Sequence, residues 1–229
     1  MKRVPLAISI ILLFCCYATA QSKVDLGEVR DGVYINSGLG FTFKYPKDWV
    51  VHGEATNERI SELGKEKIAA AGQSKESVEI AMQHTHYLLT VFRHPVGTPG
   101  ITFNPGILVI AEQVDYAPGI TNGKDYLLNL RTLLTKTGCQ FLLKEPLEYR
   151  FAGAQFFRDD STAEVNGVHL LQSHFATLKN GYALVFIFIG GDQQGLDEMT
   201  KTMETVNFST VRRGAPTDPP PQAKPNPKP

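Results

Sequence analysis

Two Asn-Gly dipeptides, Asn166-Gly167 and Asn180-Gly181, constrain the fold of this chain more than any other feature. A two-residue hairpin loop that matches the twist of its strands needs positive φ at both central positions. Asn followed by Gly meets that need at low steric cost. Each dipeptide is flanked by strand-forming residues, so the spacing predicts a three-stranded meander over 155–165, 168–179 and 182–189. The third segment, YALVFIFI, is apolar at every position, as expected where both faces of a sheet are covered.

The covering elements are legible on either side. Phe41, Phe43 and Tyr45 alternate with Thr42 and Lys44, the period of a half-buried strand. Pro46 then presets a turn that lets Trp49 fold back over the sheet. Residues 56–71 place Ile60, Leu63, Lys67 and Ile68 at near-helical spacing, with Thr56 or Asn57 as the cap. Apolar, β-branched runs at 87–93 and 107–114 read as strands. A helix over 124–137 carries Leu127, Leu130, Leu133 and Leu134 as one core stripe and stops at Gly138. Asp192 caps a last helix whose inner face is Leu196, Met199, Met203 and Val206. Hairpins with helices on their faces predict an α+β fold, an antiparallel sheet of about six strands in an α/β/α sandwich.

The ends of the chain differ from this middle. Lys2 and Arg3 precede an apolar run from Val4 to Tyr17, and Ala18-Thr19-Ala20 follows as a small-x-small cleavage site. Residues 1–20 therefore read as a secretory signal peptide, which predicts export to a periplasmic or extracellular space with no integral membrane segment after cleavage. Residues 21–31 read as a leader and 32–211 as one domain. Residues 212–229 read as a disordered tail, since seven of the fourteen prolines lie beyond Gly214 and no large apolar residue does. Cys15 and Cys16 depart with the signal, which leaves Cys139 alone, without an intramolecular disulfide, as a small packing residue. The 23 basic and 23 acidic residues balance, with no basic cluster to suggest nucleic acid or an anionic membrane surface.

The stretch YINSGLGFTFKYPKDWVV, Tyr34 to Val51, resembles the start of secreted PsbP-like domains, with an aromatic and an asparagine before a G-F-x-x-x-Y-P-x-x-W core. KNGYALVFIFIGG, followed by a helix and METVNF, is similar to the close of those domains and of DcrB-like bacterial proteins. The resemblance implies an antiparallel sheet between helices, and little chemistry, because such folds serve unrelated roles.

Three constellations carry candidate chemistry. His84, His86 and His94 share even spacing, so on a continuous strand all three imidazoles would face one side and could take zinc or copper. Counting back from the Asn166-Gly167 turn sets Glu164 opposite His169 and Asp159 opposite His174, with Ser161 on the face of Asp159. This is a Ser, His and Asp set without a nucleophile elbow or an evident oxyanion hole. The turn-rich connection from His94 to Gly106 offers Ile101 and Phe103 as a contact surface. No P-loop, H-E-x-x-H, C-x-x-C or G-x-G-x-x-G occurs. The expectation is a non-enzymatic exported domain without a cofactor, contacting a protein partner or small ligand. A histidine metal-binding protein and a hydrolase on Ser161 and His174 stand as alternatives.

Overall fold

The computed structural model describes residues 24–72, 79, 83–115, 117, 119–165 and 167–208. The expected signal at 1–20 and the proline-rich tail at 212–229 lie outside the described residues, as does Asn166. A small antiparallel sheet comes first: β1 (Glu28–Arg30), β2 (Val33–Asn36) and β3 (Phe41–Lys44). Next in the chain are β4 (Val50–Val51), helix α1 (Glu54–Ala70), β5 (Thr85–Phe92) and β6 (Gly106–Gln113). Helix α2 (Gly123–Lys136) precedes β7 (Gln140–Phe141) and β8 (Leu147–Phe151). The meander of β9 (Ala154–Val165), β10 (Val168–Lys179) and β11 (Tyr182–Gly190) leads to helix α3 (Gln193–Thr200) and a 3-10 turn at Lys201–Thr205.

The large sheet has eight strands in the order β4-β5-β6-β11-β10-β9-β7, with β8 also paired to β9. All its pairings are antiparallel, and β11 lies at its centre. The fold is α+β as expected, with more strands than the six read from sequence. The meander keeps its expected register: His174 faces Asp159 and His169 faces Glu164. Asn180 and Gly181 both hold positive φ, at 51° and 82°, as the type I′ turn demands.

The missed strands have a physical cause. β8 turns into β9 through Ala152-Gly153, both at positive φ, and alanine there gives no turn signal. β1 belongs to the stretch read as a leader, and its three residues are all exposed, so no alternation marks it. It is held because the Asp25 carboxylate accepts hydrogen bonds from the Gly27 and Gly38 amides, at 2.9 and 2.8 Å. The Tyr34 hydroxyl also donates to the Leu26 carbonyl.

Alternation along β11 builds two cores. Leu184, Phe186 and Phe188 point to one face, which is covered by Phe41 and Phe43 of the small sheet and by Leu196, Met199 and Met203. Ala183, Val185 and Ile187 point to the other, where Tyr126, Leu127 and Leu130 of α2 cover them. Asn122 caps α2, its side-chain oxygen accepting from the Lys124 and Asp125 amides. At the far end the Gly138 and Cys139 amides donate to Thr135 and Leu134, which is a Schellman closure. Gly123 is required at the first position of α2, because a Cβ there would overlap the Ala176 carbonyl of β10.

Trp49 is only half-buried, against the core edge and beside Phe103, Pro105 and Met199. The sequence suggested a deeper burial. Trp49→Ala is therefore expected to cost about 1–3 kcal/mol, below the ~3–5 kcal/mol of a fully buried aromatic. Urea unfolding of the variant measures this, and a loss beyond that range would place the indole in the core.

Candidate functional site

Between the large sheet and the helices α1 and α2 lies a cavity of about 380 Å³. Its floor follows from the strand register. Tyr87, Ile110 and Val185 form one row across β5, β6 and β11, and Leu108, Ile187 and His174 form the next across β6, β11 and β10. Leu130, Leu133 and Leu134 of α2 and Ile60 and Ile68 of α1 form the roof. These leucines are part of the stripe that the sequence marks as core, and they face a space instead of a packed layer.

The space arises from how α1 sits. Only Ile68 of its seventeen residues is fully buried, and Gly64 turns toward the cavity without a side chain to fill it. Leu63, placed by sequence on the inner stripe, is 54% exposed. The expected caps are also used otherwise. Gly53 is the N-cap residue, while the Asn57 side chain accepts a 2.6 Å hydrogen bond from the Thr90 hydroxyl and pins the helix to β5. Lys65 pairs with Glu62 and Glu79, so its charge is locally balanced.

Polar groups enter this apolar wall at separate points. On β6, Glu112 accepts a 2.7 Å hydrogen bond from the Tyr126 hydroxyl of α2. Burial pushes the Glu112 carboxyl above the usual carboxylate range, although that hydrogen bond pulls it down. Gln172 spends its carbonyl oxygen on the Ser161 hydroxyl at 3.4 Å. His174 is buried on β10 opposite Asp159, and its Nδ1 has no protein partner. Burial lowers its pKa to about 4, so the imidazole is neutral near pH 7.

This shift has a signed consequence. The folded value lies below the unfolded one of 6.5. Between those values the unfolded chain takes up a proton that the native protein refuses, so stability is intact above pH 6.5 and falls as pH drops toward 4. At ~1.4 kcal/mol per pH unit, the expected loss over this window is on the order of 3 kcal/mol. Glu112 acts in the opposite sense. The difference between wild type and His174→Phe in urea unfolding at pH 7 and pH 4.5 isolates the histidine, and an equal acid loss in both would contradict its role.

The residues singled out in the sequence do not assemble as expected. His84 and His86 are neighbours at the start of β5, and His94 lies eight residues further on, beyond its end, ~25 Å away along an extended strand. A bulge between Tyr87 and Leu89 also breaks the even spacing that was to align the three rings. His94 is instead clamped through its backbone by the Asn104 side chain. Among the described residues, no group of three or more His, Cys, Asp or Glu side chains could hold a metal ion. The Ser161, His174 and Asp159 set lies on one face as counted, but Asp159 gives its carboxylate to Arg131 of α2, at 2.7 to 3.0 Å through Nε and Nη2. Ile101 is 40% exposed, whereas Phe103 packs against Gly191.

Comparison with protein-family models gives no match, and comparison with curated proteins gives none either. Among solved structures, the chain is similar to cyanobacterial PsbP from Synechocystis sp. PCC 6803. Identity is 13%, covering 77% of this chain and 90% of that one, with a TM-score of 0.44. It is also similar to LpqN, described as involved in cell envelope biogenesis of Mycobacterium tuberculosis, at 11% identity, 73% and 82% coverage, and a TM-score of 0.42. A protein of unknown function from Pseudomonas aeruginosa is similar at 11% identity, 58% and 83% coverage, and a TM-score of 0.36.

Proposed function

We propose that this chain is an exported, non-enzymatic binding domain that holds a small apolar molecule in the cavity beneath α1 and α2. The carrying observation is the cavity itself, about 380 Å³, walled mainly by aliphatic side chains of β6, β11 and two helices, with Tyr87 of β5 and His174 of β10 completing the floor. Small-molecule sites are concave, mostly apolar and roughly 300–1,000 Å³, with a few placed polar groups, which describes this space. The N-terminal charge and apolar pattern supports export, and no helix among the described residues is long and apolar enough to cross a membrane. A binding role without catalysis is supported by the engagement of Asp159 with Arg131, which leaves His174 without an acid partner.

Titration with N-phenyl-1-naphthylamine, an uncharged apolar fluorophore, tests the reading. Saturable enhancement is expected with wild type. Leu130→Trp, which fills the roof of the cavity, is expected to weaken it by at least about tenfold, equivalent to ~1.4 kcal/mol, with the circular dichroism spectrum unchanged. Undiminished binding by a folded Leu130→Trp protein would show that the probe binds elsewhere.

A further inference from the structure

We infer that β8 is a self-pairing edge: two copies of this chain join antiparallel through Leu147–Phe151, with Tyr149 on the two-fold axis, and merge their large sheets into one. This surface is separate from the cavity, and the inference does not rest on the binding role.

The backbone decides which groups are on offer. β8 pairs on one side with β9, and the hairpin closes at Phe151 and Ala154 across the two-residue Ala152-Gly153 loop. Both loop residues hold positive φ, 48° and 79°, the type I′ geometry in which the closing pair is hydrogen-bonded. Hydrogen-bonded and non-hydrogen-bonded pairs alternate along an antiparallel ladder. Leu147, Tyr149 and Phe151 therefore direct their N–H and C=O groups to β9, and those of Glu148 and Arg150 point outward. Among the described residues no strand other than β9 pairs with β8, and no loop backbone group bonds Glu148 or Arg150. A row of open donors and acceptors of this kind is a ready site for another strand.

The side chains select the occupant. On one face Leu147 and Tyr149 are exposed. The Tyr149 ring stacks on Phe151 at 6.1 Å and meets Phe175 edge-on at 5.8 Å, which carries the apolar core of that face out to the rim. On the other face stand Glu148 and Arg150, ion-paired to each other at 3.2 Å within the strand.

With outward groups at only these two positions, an antiparallel second copy has three registers that use them: Glu148 opposite Glu148, Arg150 opposite Arg150, or Glu148 opposite Arg150. The first two bring like charges together, which is unfavourable across strands. The third sets opposite charges face to face twice and closes four backbone hydrogen bonds. It also lays Tyr149 against its own copy and Leu147 against Phe151, so the apolar row continues across the junction. The charges are exposed, so they fix the register more than they add affinity. Five residues a side make a contact below the ~1,600 Å² of a standard interface, which gives a reversible dimer.

Sedimentation velocity of the purified protein tests this. A reversible monomer–dimer equilibrium is expected with a midpoint between ~1 µM and ~1 mM, the range of small interfaces. Glu148→Arg and Arg150→Glu each place like charges opposite one another at both pairs, and each is expected to weaken self-association at least about tenfold. Mixed in equal amounts, the two variants are expected to form a heterodimer at about wild-type affinity, because the mixture restores opposite charge at both pairs. A wild-type protein that stays monomeric throughout this range would overturn the inference. A dimer that neither variant weakens would place the contact elsewhere and overturn it equally. Two variants that fail to associate with each other would overturn the register that defines the interface.

Discussion

Phe186→Ala is expected to cost about 3–5 kcal/mol of folding stability, which for a chain of this size lowers the melting temperature by roughly 6–20 °C. Phe186 has no exposed surface and sits at the middle of the central strand β11. Its ring meets Phe43 at 5.1 Å, Phe41 at 5.8 Å and Phe156 at 6.0 Å, all edge-on. It therefore joins the large sheet to the small one, and truncation leaves a cavity walled by strands from two sheets that have little freedom to collapse into it. Thermal melts followed by far-ultraviolet circular dichroism check the value. A loss under about 1 kcal/mol would mean that the small sheet does not dock there.

Arg131→Met has a comparable expected effect for a different reason. The Asp159 side chain has no exposed surface and Arg131 is its ion-pair partner, at 2.7 Å, while Arg131 also donates to the Leu143 and Lys144 carbonyls. Removing the arginine strands a charge in the sheet, a change that costs about 3–5 kcal/mol where a buried pair is broken from one side. Replacing both residues, Arg131→Met with Asp159→Leu, removes the stranded charge and is expected to recover most of that loss. If the single variant is as stable as wild type, the pair is not the buried link described.

Much of the architecture was legible because the signals were local. The Asn180-Gly181 turn, the Asp192 cap and the Gly138 closure each depend on residues within a few positions of one another, and the meander register follows by counting from a turn. The site was not legible in that way. Leu130, Leu133 and Leu134 satisfy the periodicity of a packed helix whether or not a second helix closes on them. The gap exists because Gly64 and the exposed Leu63 keep α1 from filling it, which only three-dimensional placement reveals. His174 and Asp159 were correctly placed opposite one another, yet their roles were set by Arg131, a contact 28 residues away in sequence from Asp159. The histidine row failed because a bulge in β5 breaks the even count that was to align it.

Methyl-resolved nuclear magnetic resonance during titration with N-phenyl-1-naphthylamine tests the central claim most directly. The account predicts saturable shifts of the Ile60, Ile110, Ile187 and Leu133 methyls that line the cavity, with Val91, Ile107, Val109 and Leu184, buried in the other core, largely unmoved. Shifts confined to the exposed Val96 and Ile101, or no saturable shift of the cavity methyls, would contradict it.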